Sequence, residues 1–143
     1  MRKLTPDTKV GVEFTGKSKT VSETRVFAFS GGRFDAPGWP VKNIHTDLEY
    51  ARSCGLQTRS VSATQYMGYL VELMIDLFGE SWLSHGKMEL KFIAIVDVGD
   101  RLVSKAVVTS KESADSHTKF TLDIWCENQY GKKVALGTAT GLI

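Results

Sequence analysis

The spacing of apolar residues changes character partway along the chain. Met67, Leu70, Val71, Met74, Ile75 and Phe78 recur at the three- and four-residue intervals of an amphipathic helix. Ser62, with Gln65 three residues on, forms a capping box before them, and Gly79 stops the run. This is the longest element expected, roughly four turns or more. Beyond it the period shortens. MELKFIAIV (Met88–Val96), RLVSKAVVTSKE, KFTLDIWCENQ and KKVALGTATGL have the β-branched, alternating composition of strands. Val98-Gly99-Asp100 and Tyr130-Gly131 mark the turns between them.

The first half is more broken. Val10 to Phe14 reads as a short strand. Ser22 can cap a helix running to about Phe29, which Ser30-Gly31-Gly32 ends. The stretch GGRFDAPGWPVK, Gly31 to Lys42, holds two of the three prolines and must be a loop. It is long for a chain of this size, and long loops tend to carry function. Thr46 and Glu49 then form a second capping box, with Asp47 adding negative charge to the first turn. The resulting helix runs from Asp47 to about Ser53 and ends at Gly55. His45 therefore stands at the lip of a short helix. Helices first, one long helix, then about four strands on tight links describe an antiparallel α+β arrangement. A sheet wrapped around one long helix is the hotdog architecture.

Composition narrows the function classes. A chain of 143 residues, 42% hydrophobic and 24% charged, is expected to form a single domain over 1–143 with its own core. A net charge of +2, with no basic run interleaved with aromatics, argues against nucleic acid as a partner. No apolar stretch reaches the length of a membrane span. The N-terminal MRKLTPDTKVGVEF lacks the apolar core of a signal peptide, so a cytoplasmic protein is expected. Cys54 and Cys126 are far apart and in no metal-type spacing, which reads as two reduced thiols. His85 and His117 lie outside any motif.

The order of several segments resembles the MaoC-like acyl dehydratases, including the (R)-specific enoyl hydratases. FAFSGG, NIHTDLEYARSCGL, the long helix ending in Phe78-Gly79, LKFIAIVDVGDRL and NQYGKKVALGTATGLI follow one another as they do in that family, from roughly Thr20 to the C-terminus. The late strand pattern mainly supports the fold. His45-Thr46-Asp47, with Ala51 at the small position, matches the H-x-D/E-x-x-x-A part of the hydratase signature more specifically. The family's S-G-D-x-N-P-x-H pattern is interrupted. Gly32 follows Ser30-Gly31, about eight residues are inserted, and Pro40 stands five before His45, where the family has its catalytic Asp. Asp35 lies within the insertion. The family's I-A-H-G stretch corresponds to Val61-Ser62-Ala63-Thr64, without the glycine.

The resemblance implies an acyl thioester of coenzyme A or an acyl carrier protein as substrate. It implies a homodimer or higher homo-oligomer, and neither cofactor nor metal. Hydration of an enoyl thioester needs a group to activate water, one to protonate the α-carbon and donors for the enolate oxygen. His45 is the main candidate acid/base, since imidazoles titrate near neutral pH. Asp35 is the candidate partner carboxylate. Ala63 or Thr64 N–H, at a helix start, would supply the oxyanion contact. Asn43 could orient water or ligand, and Trp39 and Phe34 could wall an acyl pocket. Each has a structural alternative: a helix staple for His45, a loop turn for Asp35, local backbone bonding for Asn43, loop anchoring for the aromatics. Arg52 and Arg59 read as solvated charge or as partners for coenzyme A phosphates. Two rival functions share the fold: a thioesterase, and an acyl-thioester-binding protein without catalysis.

Overall fold

A computed structural model describes residues 3–143. The elements in chain order are β1 (Glu13–Thr15), β2 (Lys19–Thr20), α1 (Glu23–Ser30), α2 (Leu48–Ser53), α3 (Ala63–Phe78), α4 (Ser81–His85), β3 (Lys87–Phe92), β4 (Arg101–Ala114), β5 (His117–Glu127) and β6 (Lys133–Leu142). The main path of the sheet runs β1-β4-β5-β6-β3, with β2 also on β4, and every pairing is antiparallel. The expected turns join the long strands. Gly99 and Gly131 take positive φ of 101° and 73°, a conformation that glycine adopts without steric cost.

On β5 the burial alternates residue by residue. Thr118, Phe120, Leu122, Ile124 and Cys126 face inward. The last four meet Leu70, Leu73, Met74 and Leu77 of α3 in one core. Full burial of each such leucine is worth about 1.5–3 kcal/mol, so α3 is held chiefly by the sheet that covers it. This is the hotdog arrangement, an antiparallel sheet of six strands around a central helix.

Five local expectations change. The buried face of α3 is centred on Tyr66, Leu70, Leu73, Met74, Leu77 and Phe78. Met67 and Val71 are only half-buried, and Ile75 is 39% exposed. Ser62 is the N-cap of α3 but makes no side-chain cap bond. Its hydroxyl lies 2.8 Å from the Thr64 hydroxyl instead, and Gln65 turns inward. The N-cap of α2 is Asp47, whose carboxylate accepts from Tyr50 N–H at 2.8 Å. Thr46 is drawn away because its hydroxyl donates to the Val41 carbonyl at 2.6 Å. The strand expected over Met88–Val96 stops at Phe92. Beyond it, Asp97 bridges to Ser60, and Val61 N–H donates to Val96 at 2.8 Å. The N-terminal strand begins at Glu13 rather than Val10.

Candidate functional site

The inserted loop is closed at its base. Val41 N–H donates to the Gly31 carbonyl at 2.9 Å, and Trp39 packs edge-on to Phe27 of α1 with ring centroids 6.2 Å apart. A side chain at Gly31 would strike the Phe27 carbonyl at 2.4 Å, so a glycine is needed where the helix meets the loop. Pinching the base pushes the tip outward. Phe34 is 69% exposed and leans on Trp39 at 5.3 Å between centroids. Asp35 is held by Arg33 through two hydrogen bonds, of 3.0 and 2.6 Å.

Asn43 organises the segment after the loop. Its Nδ2 donates to the Ser30 carbonyl at 2.8 Å, tying the segment to the end of α1. Its Oδ1 accepts from the backbone N–H of His45 at 2.9 Å and of Thr46 at 3.2 Å. An Asn side chain that satisfies its own local backbone makes a rigid turn. Arg59 braces the same turn. It pairs with Glu23 of α1 at 2.5 Å and donates to the Thr46 carbonyl at 3.4 Å. Arg59 is thus a structural strut, with its side chain 21% exposed, whereas Arg52 is exposed to solvent.

The half-buried His45 ring is fixed from the other side. Its Nδ1 lies 2.6 Å from the Ser60 carbonyl oxygen. A carbonyl only accepts, so Nδ1 carries the proton and the neutral ring keeps its lone pair on Nε2. Ser60 precedes the α3 N-cap, Ser62, by two residues. The same segment that orients the imidazole therefore runs directly into the start of α3. There Ala63 and Thr64 present first-turn N–H groups, which no helical carbonyl can satisfy.

His45, Asn43 and the α3 start are thus linked through one short network. Asp35 is not part of it, being ion-paired at the loop tip; Trp39 anchors that loop on Phe27, and Phe34 stays exposed at its tip. A carboxyl outside every sequence motif, Asp97, is the bridge partner of Ser60. Residues paired across strands have Cβ atoms about 4.5–5.5 Å apart. Partial desolvation, then the nearby charge of Asp100, raises its carboxyl above the usual range. Only the pairing of residues 59–61 with 96–98 reveals it, because Asp97 has no motif of its own.

Two clefts flank this corner. One, of about 560 Å³, lies between the loop after α2 and the segment after β3, with Thr58, Ile95, Asp97 and Lys132 in its wall. The other, of about 490 Å³, lies between α1 and α3. His45, Asp35, Asn43, Trp39 and Phe34 line neither. No group of three or more His, Cys, Asp or Glu among the described residues could hold a metal ion. No helix among them is long and apolar enough to cross a membrane.

Solved structures with this architecture include the MaoC-like dehydratase from Rhodospirillum rubrum, at a TM-score of 0.75 and 22% identity, covering 96% of this chain and 93% of that one. The fold is that of the MaoC-like dehydratases. The (R)-hydratase from A. caviae involved in PHA biosynthesis superposes at a TM-score of 0.71 and 20% identity, covering 94% and 96% of the two chains. The 3R-hydroxyacyl-ACP dehydratase complex from Mycobacterium tuberculosis matches at 0.65 and 13% identity, covering 95% and 98%. No family model and no curated protein matches the sequence. The resemblance of FAFSGG and HTDLEYA to the MaoC-like pattern thus agrees with the shape of the whole chain.

Proposed function

We propose that this MaoC-like protein hydrates, or in reverse dehydrates, the α,β-bond of an acyl thioester carried by coenzyme A or an acyl carrier protein. The observation that carries this reading is the His45 ring, held through Nδ1 with Nε2 free, on the segment that leads into α3. The Ala63 and Thr64 N–H groups receive the thioester carbonyl as it becomes an enolate. Nε2 accepts a proton from the water whose oxygen bonds to the β-carbon. The proton that completes the addition goes to the α-carbon from the imidazolium or a neighbouring carboxyl. Two carboxyls compete for that role. Asp35 must leave Arg33 to serve it, whereas Asp97 already pairs with the residue that holds His45. Asn43 positions the ring through the backbone of its turn. Cys54 and Cys126 are free thiols, in keeping with a cytoplasmic setting.

The test is to incubate the protein with a trans-2-enoyl-CoA and with a saturated acyl-CoA. Loss of the conjugated double bond with the thioester intact is expected. His45→Ala should slow it by roughly 100-fold or more, the usual loss for a general acid/base, with the circular dichroism unchanged. Asp35→Asn and Asp97→Asn then identify the partner carboxyl. Free thiol released from the saturated substrate would make the protein a thioesterase. Binding without turnover, unaffected by His45→Ala, would make it a non-catalytic module.

A further inference from the structure

The cleft between α1 and α3 has features that neither the fold nor the His45 network requires. Gln65, in the first turn of α3, lines it while only 7% exposed, and its Oε1 has no hydrogen-bond partner. An unsatisfied buried amide oxygen is unfavourable, and turning the amide over aims its N–H at an acceptor on a ligand instead. One turn on, Gly68 sits inside the helix, where glycine is less favourable than alanine. Packing does not demand it, because a Cβ there would meet nothing within 4 Å. Its effect is to leave room along the cleft floor.

The walls supply charge and an apolar surface. Arg25 of α1 donates Nη1–H to the Thr20 carbonyl at 3.2 Å and forms none of the ion pairs found among the described residues. Lys19 lies 5.4 Å from the centre of the Tyr69 ring, and Glu72 partly neutralises it at 2.6 Å. Phe29, 53% exposed, forms an apolar edge. An unpaired guanidinium, an amide in want of a partner and two aromatic rings suit a ligand with an apolar stem and a polar, anionic end. Tyr69 lies roughly 9 Å along the helix axis from Ala63, at 1.5 Å per residue. A medium-length acyl group could span from the α3 start to this cleft.

We infer that the α1–α3 cleft receives the far end of the acyl group, and that the preferred substrates end in a carboxyl group rather than a methyl. Arg25 pairs with the carboxylate, which can only accept, so Gln65 reaches it through Nε2–H after its amide turns over. This rests on the acyl-thioester reading above.

Two probes of equal chain length test it, trans-2-hexenoyl-CoA and the CoA monothioester of trans-2-hexenedioic acid, each titrated by calorimetry and assayed for hydration. The carboxylated probe should bind about 10-fold tighter or better, the scale of one charge-assisted hydrogen bond. Arg25→Gln and Gln65→Leu should each reduce that preference, read as the ratio of the two probes' affinities in the same variant. Equal affinity for the two probes in the wild type, or a preference that survives Arg25→Gln, overturns the inference. If neither thioester binds, the acyl-thioester reading fails separately, and adipate alone is titrated. Adipate binding lost in Arg25→Gln keeps the cleft as a carboxylate site, and no adipate binding removes it.

Discussion

Individual side chains are tuned by what surrounds them. Cys126 is buried against the sheet, and burial outweighs its contact with Ser104, so its thiol is pushed up to about 12. Cys54, just past α2, is exposed. Since the thiolate is the reactive form, a thiol reagent should modify one cysteine in the native protein and two in denaturant. Rapid modification of both without unfolding would contradict the burial. Asp97 has the opposite kind of consequence, one that depends on pH. Its folded carboxyl is raised above the ordinary 3.8, so the native state holds its proton more tightly than the unfolded chain does. Its contribution is present below that ordinary value and is lost as pH rises through the folded one. Asp97→Asn removes the loss. Its Tm should exceed that of the wild type at neutral pH, and the difference should close below pH 3.8. A gap that stayed constant across that range would mean that something other than the charge is responsible.

At the scale of elements, α3 shows why periodicity alone cannot choose a buried face. Between Tyr66 and Phe78 apolar residues occupy nearly every side of the helix. Leu70, Met74 and Phe78 belong both to the expected stripe and to the buried one. Leu73 and Leu77 complete the face only because β4 and β5 cover that side. The capping boxes were misleading for a related reason. Thr46 and Ser62 have the right neighbours in sequence, but the Val41 carbonyl and the Thr64 hydroxyl engage their side chains, and Gln65 turns inward. The β3–β6 pair makes a sharper demand. Leu90 lies opposite Gly137, and a Cβ on Gly137 would come within 1.8 Å of the Glu89 carbonyl oxygen. No side chain can yield there, because the clash is with backbone. Gly137→Ala should therefore destabilise the protein by roughly 3 kcal/mol, at the upper end of overpacking costs, measured by urea unfolding. A loss under 1 kcal/mol would mean that the two strands separate cheaply.

For the whole molecule, the open question is the edge of the sheet. β3 ends the strand order, and just beyond it Ile93 and Ile95 are 52% and 63% exposed, with Phe92 at 42%. An uncovered strand edge beside apolar side chains invites pairing with a second chain. A homodimer formed at this edge is the expected state. The double substitution Ile93→Lys with Ile95→Lys should shift the mass measured by light scattering from dimer to monomer. A wild-type chain that is already monomeric at micromolar concentration would remove the proposal.

The sequence by itself determined the broad order of elements, the antiparallel α+β class, and the position of His45 beside a short helix. These follow from local rules: apolar period, turn residues, and glycines where only glycine fits. Motif order also carried the resemblance to MaoC-like proteins. Tertiary structure decided what no local rule holds. It selected the face of α3 that is buried, bound Asp35 to Arg33 at a loop tip, aimed His45 at Ser60, and brought Asp97 beside that residue from 37 positions away. Contacts between segments so distant in sequence depend on how the sheet closes over the helix, and the energy of that closure is spread across the whole core.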